Sequence, residues 1–514
     1  MLKEFSNSFF IGLAFKGGVI RLILYMFLSV WPNLLFGQTD TFNNSRQRVG
    51  EGNSTAFNRN RSSNFNSYRQ KLNAEYVSMT RKSWKEFNSF RALISPDKDV
   101  KPVSPIVMSD DNAKKEKEDN RIAIEGVVNP VSPVVRPQPI APIQETVDET
   151  PNYFTFSYLN TSIQVRKPQS IPVLNGIDEL SVANAWEELC TDKYNNLLID
   201  CIKLRSSRNL CDWAYLLMLK DLGESLCGKN TNEAVLLMAY LYSQSGYRMR
   251  LGQYNGKLQM LYASQHDVYG RPYFECDGIK FFAMSKVEGT IKINAAKYPK
   301  EQSLSLWVNN APEVDCDVSQ ERTLVSQRYP ELSIHVGVNR NLLNFYESYP
   351  TSEVGGNFMT RWAMYANTPL CSEVREQLYS QLTRQISGMS QLDAVERLLN
   401  FVQTAFVYEY DDKVWGNDRA FFAEESLYYP YCDCEDRSIL FSRLVRDLLG
   451  LKVVLVYYPG HLATAVHFTD HVTGDYILLN NQRFTVCDPT YIGAPVGATM
   501  PDMDNAGAKV ILLE

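Results

Sequence analysis

Apolar positions along this chain fall into stretches of different period. Between 66 and 95, Tyr68, Leu72, Tyr76, Met79, Trp84, Phe87 and Phe90 recur at three- to five-residue steps among Lys, Arg and Glu, the stripe of an amphipathic helix. Helical spacing returns over 181–203, 211–226 and 230–245, followed by strand-like runs near 247–262 and 273–285. Residues 286–370 mix short strands, among them 304–308 and 332–338, with loops. Helices over 371–387 and 391–407 lead to another that starts at Cys434. Leu440, Leu444, Val445 and Leu448 share one of its faces, and Gly450 stops it. Beyond it, 453–458, 462–468, 476–479 and 483–487 are short, β-branched and aromatic, which predicts strands joined by turns. The fold class expected from these runs is α+β, with helices packed on antiparallel sheet.

The remaining stretches lack such a period. Residues 38–65 are rich in Asn, Ser and Arg and nearly free of aliphatics, a composition that predicts disorder. Residues 96–150 hold Lys-Pro-Val-Ser-Pro (101–105) and Asn-Pro-Val-Ser-Pro (129–133) around a charged run. Proline fixes φ and removes a donor, so this reads as an extended linker, with ordered structure resuming near Tyr153. At the start, Lys3, Lys16 and Arg21 precede an apolar run, 22–36, that ends at Gly37. The expectation for 1–37 is a secretory signal, with a membrane anchor as the alternative; Pro32 interrupts the run and it is short for a span.

Charge and cysteine content narrow the classes. The net charge is −6 over 514 residues, and without a basic stripe nucleic-acid binding gains no support. Ten cysteines at 190, 201, 211, 227, 276, 316, 371, 432, 434 and 487 are scattered rather than arranged as a disulfide framework. Export permits disulfides, but no pairing follows from these positions.

The chemistry concentrates near the C-terminus. Cys434 opens its helix, His461 follows an apolar run in Pro-Gly-His-Leu (459–462), and Asp488 ends another in Val-Cys-Asp-Pro-Thr (486–490). Thiol, imidazole and carboxylate in this order can serve as nucleophile, base and the group orienting that base. A helix N-terminus favours thiolate, while Asp433, Glu435 and Asp436 oppose it if they face the sulfur; Asp436 can instead accept N–H groups of the first turn. Candidates to complete an oxyanion hole beside the Cys434 N–H are Trp415, Asn417 and Tyr431. His467 and His471 read as surface residues, and Cys432 has a poorer setting than Cys434 for a nucleophile. Cys432, Cys434, His461 and Cys487 could instead ligate zinc, but the ordered triad accounts for more of the pattern, so neither metal nor cofactor is expected.

Cys434-Glu-Asp436, Gly460-His461 and Cys487-Asp488-Pro489-Thr490 resemble the three signatures of the transglutaminase-like, papain-fold superfamily over roughly 390–500. The resemblance implies a nucleophile helix packed on an antiparallel sheet, a catalytic domain over 371–514, and a Cys434–His461–Asp488 triad for acyl transfer. It departs from the pattern at Tyr431-Cys-Asp433, where the family often carries a Gly shortly upstream.

A second stretch shows the same rhythm. At an offset of 204, residues 230–258 align without gaps to 434–462, matching Leu236, Gly246, Leu251, Tyr254, Gly256 and Leu258 to Leu440, Gly450, Leu455, Tyr458, Gly460 and Leu462. Asn230 and Lys257 then stand opposite Cys434 and His461, with Ser285 near Asp488. This reads as a degenerate copy over 151–285 without a triad, joined to the catalytic domain by a β-rich region, 286–370. The expected function is an exported cysteine-dependent acyl-transfer enzyme, periplasmic or at the cell surface, acting on a protein or peptide. The alternative is an envelope binding or assembly protein with a relict domain, using the 66–95 helix to dock a partner.

Overall fold

Helices precede sheet twice in this α+β chain, and both sheets are curled by the same device. The computed structural model describes residues 54–83, 89–95, 102–109, 117–130, 136–147 and 150–514. The chain divides into Met1–Asn60 and a second unit, Arg61–Glu514, which holds everything discussed below apart from the start of the first helix. The signal expected over 1–37 lies outside the described residues. Among the described residues, no helix is long and apolar enough to cross a membrane.

The first helix, α1, runs Ser54–Ser83, which corrects the expected disorder from 54 to 65, and a strand at Ser89–Arg91 corrects a helix reaching 95; residues 38–53 and 84–88 lie outside the described residues. Helix growth adds one hydrogen bond per residue fixed once a nucleus exists, so a docked stripe carries helix into weakly helical Asn- and Ser-rich sequence. That stripe is Arg69, Leu72, Asn73, Tyr76, Val77 and Thr80, all buried, whereas Tyr68 and Met79 are exposed. Tyr76 stacks between Trp186 and Tyr298 at 4.7 and 4.4 Å. Arg69 donates to the Tyr240 hydroxyl at 3.0 Å, and the Tyr298 hydroxyl donates to Asn73 at 3.0 Å. Trp84 and Phe87 lie outside the described residues.

The described parts of 96–150, residues 102–109, 117–130 and 136–147, are extended, but they are built into the fold rather than hung between domains. Strands β1 (Ser89–Arg91), β2 (Leu93–Ile94), β3 (Asn120–Arg121) and β4 (Gly126–Val128) all come from the chain before Tyr153. The non-proline stretches keep their donors, and Ile122 and Val128 are buried. Residues 136–147 are pinned as well: Arg205 donates to the Pro137 carbonyl at 3.0 Å. Gly246, at φ 97°, lies so close to this segment that a Cβ would fall 1.9 Å from the Gln138 carbonyl oxygen.

The first lobe stacks helices Glu179–Leu189, Asn195–Ser207, Asp212–Cys227 and α2 (Asn232–Gln244) before strands β5 (Met249–Tyr254), β6 (Lys257–Ala263), β7 (Pro272–Cys276), β8 (Ile279–Ala283) and β9 (Thr290–Ile293). The second lobe follows helices Ser372–Ile386 and Gln391–Thr404 with α3 (Cys434–Leu449), then β10 (Lys452–Tyr458), β11 (His461–His467), β12 (Asp475–Leu479), β13 (Gln482–Cys487) and β14 (Lys509–Leu512). Their strand orders are β1-β9-β5-β6-β8-β7-β2 and β3-β12-β13-β11-β10-β14-β4. Position by position, the five long strands have the same order in both lobes.

Each sheet is closed by one segment. β1 and β2 are separated by Ala92 alone and pair with opposite edges, β9 and β7, so those edges must curl toward each other. In the second lobe β3 and β4 do the same on β12 and β14, running parallel rather than antiparallel. The outer long strands of both sheets are thereby covered in part by strands of two or three residues. Inside the second sheet lie Val454, Val456, Tyr458, Ala463, Ala465, Ile477, Phe484, Val486 and Val510, while Val453 and Leu455 face the helices. Burial on both faces accounts for the unbroken apolar run of β10.

Residues 286–370 differ in part from the expected strands and loops. The hairpin Arg322–Val325/Ser333–Val336 forms, but 304–308 makes no strand, and helices Arg340–Ser348 and Thr360–Asn367 occupy the second half. β9 belongs to the first sheet, so that lobe ends beyond 285.

Candidate active site

The turn carrying His461 is set by its glycine. Tyr458 and His461 close the β10–β11 hairpin, and Gly460 takes φ 83°, a conformation that a Cβ disfavours. His461 therefore starts β11 with its ring buried. Its Nε2 lies 2.9 Å from Asp488 Oδ2. Asp488 follows β13, and its other oxygen accepts the N–H groups of Thr490 and Tyr491 at 2.8 and 3.2 Å. The carboxylate is thus fixed by backbone on one oxygen and fixes the imidazole with the other. His461 Nδ1 is buried and finds no hydrogen-bond partner among the described residues.

Cys434 is the first residue of α3. The helix is fastened to β11 by the Ser438 hydroxyl, which donates to the Leu462 carbonyl at 2.8 Å. The N–H of Leu462, next to His461 in the chain, faces the Cys434 sulfur. The thiol donates to Glu435 Oε2 at 3.3 Å. Burial, then the carboxylates of Glu435 and Asp433, hold the thiol pKa well above its ordinary value, and the Leu462 N–H only partly opposes them. The expected gain from the helix N-terminus is therefore outweighed, and the resting sulfur is a neutral thiol. Asp436 accepts the Asp433 N–H at 3.3 Å and the Phe421 N–H at 2.8 Å, the role open to it from sequence.

The remaining candidates fall in several places. Cys432 and Cys487 are buried, with thiols directed at the carbonyls of Val407 and Thr485. All ten cysteines are free. His467 contacts the Arg483 carbonyl and His471 pairs with Asp119. Trp415 packs its ring edge-on against Phe421 and Tyr429, Asn417 donates to the Asp418 carbonyl, and Tyr431 is exposed.

Three residues that sequence reasoning missed bear on the site. Gln403 donates through Nε2 to the carbonyls of Asp488, Tyr491 and Ala494 at 3.0, 2.8 and 3.0 Å, clamping the loop that carries the carboxylate. Tyr408 lies close enough to Cys434 for the sulfur to raise its phenol pKa, after burial. Its hydroxyl donates to the Val103 carbonyl at 3.4 Å, and the Val103 N–H donates to the Gly460 carbonyl at 2.7 Å. The 102–109 segment thus runs against the turn that carries His461. Arg361 is the third, a buried guanidinium paired with Asp418 and 3.8 Å from Glu435. None of these has a local signal, because each acts across a long stretch of chain.

Beside the thiol is a buried acidic group: Asp411, Asp433, Glu435 and Asp436, with Asp418 next to them. Ligand atoms of Asp411, Asp433 and Asp436 lie within 4.8 Å of one another, as do those of Asp411, Asp418 and Glu435, an oxygen set of the kind that hard cations accept. Burial, then Glu435, pushes Asp411 up to about 8, and burial lifts Glu424 and Glu425 to about 7. A carboxyl raised in the folded state binds protons that the unfolded chain has released. Its contribution is complete below the ordinary carboxylate range and is lost as pH rises through the folded values, here about 7 to 8. Thermal unfolding followed from about pH 5.5 to 8.5 should therefore show the midpoint falling as pH rises. A midpoint that rises over that window would contradict the burial of these groups.

With this geometry in hand, comparison with known proteins adds no relative: no protein-family model, no curated protein and no solved structure matches the chain.

Proposed function

We propose that the second lobe is a transglutaminase-like, papain-fold enzyme in which Cys434, His461 and Asp488 form the triad, acting on an amide or peptide carbonyl in an exported setting. The observation that carries this reading is the His461 Nε2–Asp488 bond at 2.9 Å, which leaves the buried Nδ1 without a partner among the described residues, next to the Leu462 N–H that faces the Cys434 sulfur. In this reading Nδ1 takes the thiol proton as sulfur attacks the carbonyl carbon. The tetrahedral oxyanion is met by the Cys434 N–H, the imidazolium protonates the leaving amine, and water or a second amine releases the acyl group. No metal or cofactor enters this scheme, and the substrate is a protein or peptide.

Cys434, His461 and Asp488 are 2%, 1% and 2% exposed, so a substrate needs a neighbour to move. Val103→Pro deletes the N–H that bonds Gly460 and should loosen the 102–109 segment there. The test is amine or ammonia release from a peptide-amide pool, with and without an added primary amine, in wild type, Val103→Pro and Cys434→Ala. Release that rises in Val103→Pro and vanishes in Cys434→Ala is expected. Release that survives Cys434→Ala would refute the triad, and incorporation of the added amine would mark a transferase rather than a hydrolase.

A second reading, an envelope binding or assembly protein with a relict domain, draws on the raised thiol pKa and the closed site. A partner on the 66–95 region would meet the face bearing Tyr68 and Met79, since the opposite face is docked on the first lobe.

A further inference from the structure

The first lobe keeps an open cavity where the second keeps its buried triad. The two sheets can be matched residue by residue through their pairings. Tyr254 and Lys257 close the β5–β6 hairpin as Tyr458 and His461 close β10–β11, so Lys257 stands where His461 stands. Ala283 pairs with Leu261 as Val486 pairs with Ala465, which places Ser285, two residues on, at the position of Asp488. The first residue of α2 is Asn232, as Cys434 is the first of α3. Asn232 Oδ1 accepts the Leu258 N–H at 2.9 Å, the counterpart of the Leu462 N–H that faces the Cys434 sulfur. The gapless sequence register had put Asn230 in this place. The distance from helix start to hairpin is two residues shorter in the first lobe, which no gapless alignment can absorb.

Asn232, Lys257 and Ser285 all line one cavity of about 380 Å³, at the small end of the range of ligand sites. The group has no nucleophile–base pair: the Ser285 hydroxyl donates to Gln259 Oε1, and no imidazole is present among the lining residues. What remains is recognition chemistry. Of the other charged groups lining the cavity, Lys220 pairs with Glu224 at 3.2 Å and Lys286 with Glu288 at 2.9 Å. Lys257 has no ion-pair partner among the described residues. Met238, Met260 and Met284 supply a deformable apolar wall, and the amides of Asn232, Asn255 and Gln259 also line the space.

We propose that this cavity binds the C-terminal end of a peptide, the α-carboxylate on Lys257 and the terminal apolar side chain against the three methionines. A lone uncompensated ammonium beside apolar surface selects a carboxylate attached to an apolar group. The surrounding amides match a peptide backbone better than a fatty-acid chain, which offers nothing beyond its head for them to bond. The inference rests on the cavity and stands whether or not Cys434 is a nucleophile.

The test uses the full chain and a pool of octapeptides randomised at the last three positions, prepared with free and with amidated C-termini, and sodium decanoate as a separate arm. Binding is read by calorimetry and by mass spectrometry of retained peptides. The expected result is retention of free-carboxylate peptides with apolar last residues, no retention of the amidated pool, and a loss of about tenfold or more in affinity in Lys257→Glu. Lys257→Arg should retain binding. Lys257 is exposed, so unfolding midpoints of both variants should match wild type and separate a binding defect from a folding one. Equal retention of amidated peptides, indifference to Lys257→Glu, absence of peptide binding, or binding of decanoate alone would each overturn the proposal. Loss of amide turnover in Cys434→Ala with peptide retention unchanged would show the two sites to be separable.

Discussion

Arg361→Met is expected to destabilise the second unit by about 3–5 kcal/mol, the range seen when one partner of a buried ion pair is removed. Arg361 is 2% exposed and pairs with Asp418, with Glu435 at 3.8 Å. It meets the acidic group of Asp411, Asp418, Asp433, Glu435 and Asp436 at Asp418 and Glu435. Methionine fills similar volume, so the deficit measured by denaturant unfolding reports lost charge rather than a cavity. It should also depend on pH. Burial holds Asp411, Asp433 and Asp436 above the ordinary carboxylate range, Asp411 at about 8, so as pH falls through that value the cation has less charge to meet and the deficit should shrink. A deficit below about 1 kcal/mol, or one that does not change with pH, would mean that the acidic group is neutralised by other means.

The second large effect is at His461. The resting thiol is neutral, since burial, Glu435 and Asp433 all disfavour its ionisation. Reaction at sulfur then depends on a base that takes the proton during attack, and His461 Nδ1 is a buried base without a hydrogen-bond partner among the described residues. His461→Ala should lower reactivity at Cys434 by about 10²–10⁴, the usual range for a positioned general base. Asp488→Asn has one oxygen where two are used: if the Thr490 and Tyr491 N–H groups keep it, the new NH2 donates to Nε2 and puts the ring proton on Nδ1, so a loss is expected there too. Gln403→Ala, which frees the carbonyls of Asp488, Tyr491 and Ala494, should act through the placing of that carboxylate and resemble Asp488→Asn.

Much of this arrangement could be read from residue order because its signals are local. The strands β10 to β13 fall within about one residue of their apolar runs. Cys434 opens a helix that Gly450 ends in the left-handed conformation, at φ 65°. What escaped was carried by contacts distant in sequence. The stretch 120–128, between the two proline motifs, looked like a linker because two or three residues of edge strand have no period, yet β3 and β4 close the second sheet. Arg69 and Asn73 have no place in the apolar stripe over 66–95, but each is buried against partners more than a hundred residues away. Gln403 and Tyr408 lie outside any motif. Their roles follow from a loop at 488–494 and a segment at 102–109 that fold back on them. The matching of Asn232 with Cys434 required strand register, because the two lobes differ by two residues between helix and hairpin.

The triad exists only if His461 serves the Cys434 sulfur. The most direct measurement is the rate of iodoacetamide alkylation at Cys434 against pH, read by peptide mass spectrometry in wild type and His461→Ala. The expected result is alkylation about a hundredfold or more faster in wild type near neutral pH, with a step in its pH profile that the variant lacks. Equal rates and superimposable profiles, with both sulfurs reacting as ordinary buried thiols, would contradict the triad.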